Sequence, residues 1–275
     1  MLHPLSLLKK LPVFLLLYLS ANITFAQSYN SSISAATGGT GRAAIEPGDV
    51  SFLNPATLVH LRGHSFFSSV ATDEYAVSLS DNTQESAFPG ALAFVRKQKD
   101  LTVGKTDEMD MSISVAEFAV DKFAMGLTGH YVEQRIKNGD SYHKVNGDIG
   151  FIYTPQPHIG VGLVVYNIVG EKSEIPKELR TKTTAAAGFN YIYRATWRGR
   201  IDVDSESVLM AGLETYLNRY FITRFGYSDD IVNERQLMTM GLGFKGPRFA
   251  INYAYEGNPQ NSSDYRHSVD LAVPF

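Results

Sequence analysis

The last ten residues of the chain alternate strictly between apolar and polar side chains. Their apolar face consists of His267, Val269, Leu271, Val273 and Phe275. A period of two residues is that of a β-strand with one apolar face, and about ten residues is the length that a tilted strand needs to cross a bilayer. This stretch therefore predicts either the closing strand of a membrane barrel or the last strand of a soluble sandwich.

A final aromatic residue favours the barrel. Outer-membrane barrels of Gram-negative bacteria typically end in such a strand, which closes the wall and serves as the assembly signal. We therefore assign barrel closure and assembly to the outward side chains Val269, Leu271, Val273 and Phe275.

The first 26 residues read as a secretory signal peptide. Two lysines, Lys9 and Lys10, precede the apolar run 11–19, and Thr24 and Ala26 are small residues placed for cleavage before Gln27. The run is too short for a spanning helix. The chain has no cysteine, which excludes a disulfide framework, a thiolate metal site and a lipoprotein anchor.

From residue 64 onward the sequence repeats as strand, break, strand. Polar breaks at 97–108, 137–144, 170–180, 228–235 and 258–264 alternate with tight turns, and two breaks near the start, at 72–74 and 81–87, invert this order. Such alternation is typical of outer-membrane barrels, which have long outer loops and short periplasmic turns. We predict an all-β, antiparallel transmembrane barrel of about 14 strands, with 12 as the alternative count and the C-terminus in the periplasm.

Polar side chains recur on the predicted inner face of the barrel. We expect a lumen polar network of mixed sign, which either holds the wall rigid or acts as a weak filter for solutes. Its predicted members are Asp148, Arg200, Asp202, Glu214, Arg224, Arg248 and Asp270. Inward glycines either leave a channel open or make room for the N-terminal segment, and the second explanation is the simpler one.

The segment 27–63 differs from the rest of the chain, since it is small, polar and glycine-rich, and it is not expected to form a strand. Within it, Asn54 and Pro55 have the N-cap and first-turn positions of a short helix. Three parts are thus predicted: a signal peptide at 1–26, this N-terminal segment at 27–63, and the barrel at 64–275.

The N-terminal segment resembles that of the FadL/TodX family of outer-membrane transporters for hydrophobic compounds, and also that of related PorV-type barrels of the type IX secretion system. The resemblance covers a G-x-G-R-A stretch, an acidic position and an N-P-A motif. It implies a 14-stranded barrel whose N-terminal segment is a plug or hatch in the lumen. The hatch positions carried over are Gly39, Gly41, Arg42, Asp49, Asn54, Pro55 and Ala56.

Two features depart from this family. The predicted loops are short, and the predicted interior is charged and not apolar. Arg42 is expected to pair with a carboxylate of the wall, with Glu214, Asp202 and Asp148 as candidates, because an unpaired charge in a narrow lumen is costly. The N-P-A motif either moves as part of a hatch or only caps a turn, and the second interpretation is favoured.

The resemblance implies passive uptake of hydrophobic or amphipathic molecules through a hatch-gated lumen. The alternatives are a structural or docking barrel of a secretion, gliding or oligomeric assembly, and a small diffusion porin. No nucleophile–base pair or metal-ligand spacing suggests an enzyme, and no cofactor is expected. Expected partners are outer-membrane lipid, the barrel assembly machinery, a hydrophobic ligand and other envelope proteins or copies of the chain; a net charge of −3 does not suggest nucleic acid.

Overall fold

The computed structural model describes residues 29–101, 104–170 and 173–275. The predicted signal peptide, 1–26, lies outside the described residues. The strands are β1 Gly63–Ala71, β2 Glu74–Asn82, β3 Gly90–Leu101, β4 Gly104–Val120, β5 Phe123–Ile136, β6 Ser141–Gln156, β7 Ile159–Tyr166, β8 Thr184–Tyr193, β9 Trp197–Asp204, β10 Val208–Tyr216, β11 Phe221–Asp230, β12 Arg235–Lys245, β13 Ala250–Asn258 and β14 Asn261–Pro274.

These strands form one closed barrel in which each strand pairs with its sequence neighbours. All the pairs are antiparallel, and β14 pairs with β1 in a register that sets Val269 opposite Val70 and Leu271 opposite Ser68. In a closed wall each strand has a hydrogen-bonded neighbour on both sides, as a sheet that spans a membrane requires. The predicted barrel class and the count of 14 strands are confirmed, and the C-terminal strand closes the wall.

Alternating residues of each strand face outward and inward as the sequence pattern predicts. On β13, Ile251 and Tyr253 are 43% and 38% exposed, whereas Asn252 and Ala254 are buried. The exposed face of the wall is thus mostly apolar, which suits a lipid environment. No helix within the described ranges is long and apolar enough to cross a bilayer.

The connections differ from the prediction. The breaks at 97–108, 228–235 and 258–264 are largely strand: β11 continues to Asp230, β12 begins at Arg235, and β13 and β14 leave only residues 259–260 between them. The expectation of long loops there is wrong, because ladder hydrogen bonds need no apolar face and the hairpins continue beyond the apolar band. The connection 167–183 is long, as predicted. Near the start of the barrel the order of short and long connections is inverted, as predicted: connection 72–73 is short and connection 83–89 is long.

The N-terminal segment contains one short helix and one 3₁₀ helix. Helix α1, Ser32–Ala36, is capped by Ser31, and the 3₁₀ helix Pro55–His60 is capped by Asn54. The stretch around α1 was expected only to lack a strand, and its helix was not predicted. All residues at 31–44 and 48–59 are buried. The segment contacts inward-facing residues on opposite sides of the barrel: α1 lies against β11–β14 and the 3₁₀ helix against β2, β4, β5 and β6.

Inward glycines make room for this segment. A side chain at Gly126 would place its Cβ 2.5 Å from the carbonyl carbon of Pro55, and one at Gly162 would collide with the carbonyl oxygen of Arg42. Both neighbours are backbone atoms, which cannot rotate away. These positions require glycine because the segment backbone passes directly over them.

Apolar side chains also attach the segment to the wall. Val50, Ala56 and Leu58 pack with wall residues Ala124 and Ile152 in one buried cluster. A second cluster includes Tyr29 and Phe52, whose ring centres are 5.2 Å apart, together with wall residue Phe67. Burial of each large side chain contributes about 1.5–3 kcal/mol.

We predict that Gly162→Ala destabilises the packed segment by about 1–3 kcal/mol, the usual cost of overpacking. Gly129→Ala is the matched control, because that glycine faces outward and its nearest new contact would be the Ile113 side chain at 3.8 Å. Limited proteolysis of refolded barrels is expected to cut the segment sooner in the Gly162 variant only. Equal cleavage in both variants would contradict the close packing.

Candidate functional site

The G-x-G-R stretch is held by one carboxylate of the wall. Asp202 on β9 accepts hydrogen bonds from the backbone amides of Gly41 and Arg42 at 2.8 and 2.9 Å, and its carboxylate lies 3.3 Å from Nη1 of Arg42. The same Nη1 donates to the carbonyl of Gly39 at 2.6 Å. Three carboxylates were predicted as possible ion-pair partners of Arg42. In the structure Arg42 pairs with one of them, Asp202. The guanidinium and two amides thus fix the fold of this loop against β9.

Asn54 of the N-P-A motif joins three parts of the protein. Its Oδ1 accepts from the amide of Ala56 at 3.0 Å, as a helix N-cap does. Its Nδ2 donates to the carbonyl of Arg42 at 2.6 Å and to the carbonyl of Phe151 on β6 at 3.0 Å. Asn54 therefore caps a turn, as favoured from the sequence, and also ties the two hatch motifs to the wall.

The other hatch residues lie close to these ties. Pro55 and Ala56 are buried and pass over Gly126 of β5. Asp49 is 1% exposed, and this burial raises the pKa of its carboxyl to about 7, against the opposing effect of the Arg200 guanidinium. Gly39 and Gly41 lie in the loop held by Asp202. The predicted hatch positions thus belong to one buried layer.

A cluster of buried charges surrounds Glu214 on β10. Its carboxylate pairs with Arg200, with Nε of Arg224 at 2.8 Å and with Nη1 of Arg198 at 3.4 Å. Glu46 of the N-terminal segment pairs with Arg198 and lies 3.0 Å from Nη2 of Arg200. Two carboxylates thus face three guanidinium groups, and one of the carboxylates comes from the segment itself.

The remaining predicted network residues are spread over the interior. Asp148 lies 3.1 Å from Nε2 of His130. Asp270 accepts from the amide of Ser32 at 2.6 Å and from its hydroxyl at 2.7 Å. Arg248 is a correction: β13 begins only at Ala250, so Arg248 lies exposed in the turn before it and outside the lumen.

Sequence reasoning missed three members of these contacts. Arg198 continues the inward alternation of Arg200 and Asp202, so the period of two could have found it. No sequence feature brings His130 together with Asp110 and Asp148, whose carboxylates lie 3.1 Å from its two ring nitrogens. No sequence feature indicated that Glu46 joins this cluster, because its position depends on the path of an irregular segment.

Above the segment, toward the end of the barrel away from the C-terminus, the interior is also charged. Arg266 pairs with Glu74 and lies 2.6 Å from Glu256. Nearby, Lys97 is 3.5 Å from Glu74, and Lys99 is 3.3 Å from Glu108. Within the described residues, no group of His, Asp and Glu side chains is placed to hold a metal ion. The arrangement binds a peptide segment through paired charges and hydrogen bonds.

We predict that Glu214→Gln destabilises the barrel by about 3–5 kcal/mol, because it leaves three buried guanidinium groups with one carboxylate. The control is Glu133→Gln on the outer face, where the pair with Arg135 is partly exposed and worth about 0–1 kcal/mol. Free energies of unfolding in urea, measured in detergent or lipid, compare the two. A loss below about 1 kcal/mol for Glu214→Gln would show that the cluster is not desolvated.

We also predict that docking of the segment depends on pH through Asp49. Its folded pKa of about 7 exceeds its ordinary value of 3.8, so the folded state binds the proton more tightly. Stability from this group is greatest below about pH 4, falls as the pH rises toward 7, and is then constant, with a total loss on the order of 4 kcal/mol. Asp49→Asn should reduce the slope measured in unfolding experiments between pH 4 and 8, and other buried groups supply what remains; an unchanged slope would contradict the assignment.

Proteins of known structure share this architecture, although no similar sequence was found. The sequence matches no family model and no curated protein. Solved structures match over nearly the whole chain. The toluene transporter TodX of Pseudomonas putida is 12% identical, with a TM-score of 0.65 over 90% of this chain and 98% of that one.

Two further structures agree. The toluene transporter TbuX of Ralstonia pickettii has a TM-score of 0.66 at 13% identity, covering 89% and 97% of the two chains. A FadL homologue of Pseudomonas aeruginosa has a TM-score of 0.65 at 8% identity, covering 89% and 98%. At these identities the likeness concerns the fold. The chain therefore has the fold of the FadL-type channels, as its N-terminal motif predicts.

Proposed function

We propose that this protein is an outer-membrane barrel of a Gram-negative bacterium that takes up hydrophobic or amphipathic small molecules by diffusion. Residues 27–63 act as a plug that closes the lumen and as a hatch that moves to open it. The C-terminus lies in the periplasm, so the ligand enters at the opposite end. The outer-membrane lipid and the barrel assembly machinery are its partners, and no catalytic step or cofactor is involved.

The burial of residues 31–44 and 48–59 inside a closed wall carries this proposal. A transporter needs a barrier that seals the lumen and that can still be displaced. The segment meets this need, because it joins the wall only through non-covalent contacts before it enters β1 at Gly63. The shared fold with channels described as toluene transporters supports the same class of ligand here.

The hydrogen bonds between the segment and the wall indicate which part of the segment would be displaced. Asp202 and Asn54 hold the stretch between Gly41 and Ala56 to β9 and β6 through hydrogen bonds. Each such bond contributes about 0.5–1.5 kcal/mol net, and those to charged groups about twice that. A ligand that binds the displaced arrangement better than the closed one shifts this equilibrium without an energy source.

We predict that α1 leaves the wall together with the stretch between Gly41 and Ala56, so that a disulfide which locks α1 to the wall stops uptake. The hydroxyl oxygens of Ser32 on α1 and Ser268 on β14 are 2.9 Å apart, and the chain has no other cysteine to interfere. Oxidised S32C/S268C protein in proteoliposomes should take up toluene at the rate of protein-free liposomes. Reduction of the same sample should restore the wild-type rate.

The control joins two wall strands and leaves the segment free. The hydroxyl oxygens of Ser114 on β4 and Thr128 on β5 are also 2.9 Å apart, so S114C/T128C places an equivalent disulfide in the lumen. Its uptake should not respond to oxidation. Unchanged uptake in the oxidised S32C/S268C protein would contradict a mobile hatch.

The charged interior favours a second function, that of a structural or docking barrel. The Glu214 cluster and the Glu74–Arg266 pairs line the lumen with charge, which a hydrophobic ligand would avoid. Such a protein would show no uptake in the assay above, and stoichiometric envelope partners or further copies of the chain would accompany it from native membranes. A solitary protein that transports would exclude this function.

A further inference from the structure

One rim of the barrel carries a group of cations without acidic neighbours. The C-terminal end of the barrel is the end at which β1 begins and β14 finishes. At this end, the turns between β8 and β9, β10 and β11, and β12 and β13 follow one another along the rim. They carry the four exposed cations that we call the basic rim: Arg194, Arg219, Lys245 and Arg248.

No acidic residue lies close to the basic rim in the chain. The stretches 191–197, 216–222 and 244–250 contain no Asp or Glu. Within the described residues, none of its four cations takes part in an ion pair. Other turns at the same end are not basic: the connection 83–89 contains Glu85, and in the turn 121–122 Asp121 balances Lys122.

Two turns at the opposite end of β9–β12 have the opposite sign. Around the turns 205–207 and 231–234, five acidic residues outnumber a single arginine, Arg235. They are Asp204, Glu206, Asp229, Asp230 and Glu234. The charge is therefore separated along the barrel axis on this part of the wall, and a general surplus of lysine and arginine does not explain the basic rim.

Aromatic rings place the basic rim at the level where a bilayer meets water. The guanidinium carbon of Arg194 lies 5.2 Å from the ring centre of Tyr193, and that of Arg219 lies 4.6 Å from the ring centre of Tyr220. Tyr193 packs in turn on Trp197 at 5.4 Å. Tyrosine and tryptophan collect at membrane interfaces, where one end of the ring is apolar and the other wet.

A second aromatic group continues this belt along the rim. Phe244 lies between Tyr220 and Phe249, with ring centres 6.1 and 5.8 Å away. Lys245 and Arg248 follow and precede these two phenylalanines in the chain. The cations therefore border the apolar outer wall directly, at the depth of lipid headgroups.

We propose that the basic rim binds the phosphate groups of anionic phospholipids in the leaflet at the C-terminal end. A guanidinium that rests on a tyrosine face keeps its edge N–H groups free, and these suit the oxygens of a phosphate. The acyl chains of the same lipid would lie on the adjoining apolar wall. An acidic protein is the less suitable occupant, because the rim adjoins the lipid-facing surface and not an exposed protein surface.

The test is a lipid competition on the full chain. Protein is placed in nanodiscs that contain equal amounts of phosphatidylglycerol and phosphatidylcholine, and native mass spectrometry counts the lipids that remain bound. We expect the wild type to retain phosphatidylglycerol about tenfold more often than phosphatidylcholine, with a smaller preference at high salt. The variant R194Q/R219Q/K245Q/R248Q should retain both equally.

The matched control removes four exposed cations at the opposite end of the barrel, in K105Q/R135Q/K137Q/K177Q, and should keep the wild-type preference. Heat-modifiable gel mobility confirms that each barrel is folded; if the fourfold variant fails to fold, R194Q, R219Q and K245Q/R248Q are measured singly. A preference that survives in the rim variants would overturn the proposal. So would a rim-dependent acidic protein partner without lipid preference, and neither result bears on toluene uptake.

Discussion

Most of the charged side chains buried inside this barrel pair with a group of opposite charge within the protein. Residues 31–44 and 48–59 occupy the space that water would otherwise fill, and an unpaired ion there costs several kcal/mol. The wall arginines near Glu214 exceed the carboxylates that the wall supplies, and Glu46 of the segment completes the cluster. Asp202 in turn is satisfied by amides of the segment and by Arg42. Wall and segment therefore depend on each other electrostatically.

The close contact between the wall and the segment also explains where the small residues of the wall lie. Backbone passes over Gly126 and Gly162 so closely that no side chain fits, whereas apolar clusters fill the space near Phe67 and Ile152. Close backbone contacts at small residues and apolar contacts beside them together hold the segment in one position. Polar contacts at a buried surface have a further consequence under the proposed function, because water or a ligand could replace them if the segment were displaced. A fully apolar contact would give a firmer seal and a less displaceable one.

Much of the wall could be predicted from the sequence, because a period of two residues reports directly on which face is buried. The strand count, the closing pair of β14 with β1 and the inward position of Arg200, Glu214 and Arg224 all follow from it. The period says nothing where both faces of a strand meet water, so the start of β14 at Asn261 was missed, as was the exposure of Arg248. Helix α1 and the contacts of Glu46 depend on tertiary packing, which no local pattern encodes.

Under the proposed function, the N-terminal segment closes the interior of the barrel and is displaced when a ligand passes. Hydrogen–deuterium exchange of the reconstituted barrel, with and without toluene, tests it most directly. Without toluene, the amides of residues 31–59 should be protected as strongly as those of β9 and β10. With toluene, protection should fall at 38–56 and stay unchanged in the strands. Equal protection of 38–56 in both conditions would contradict the claim and favour a permanently filled barrel.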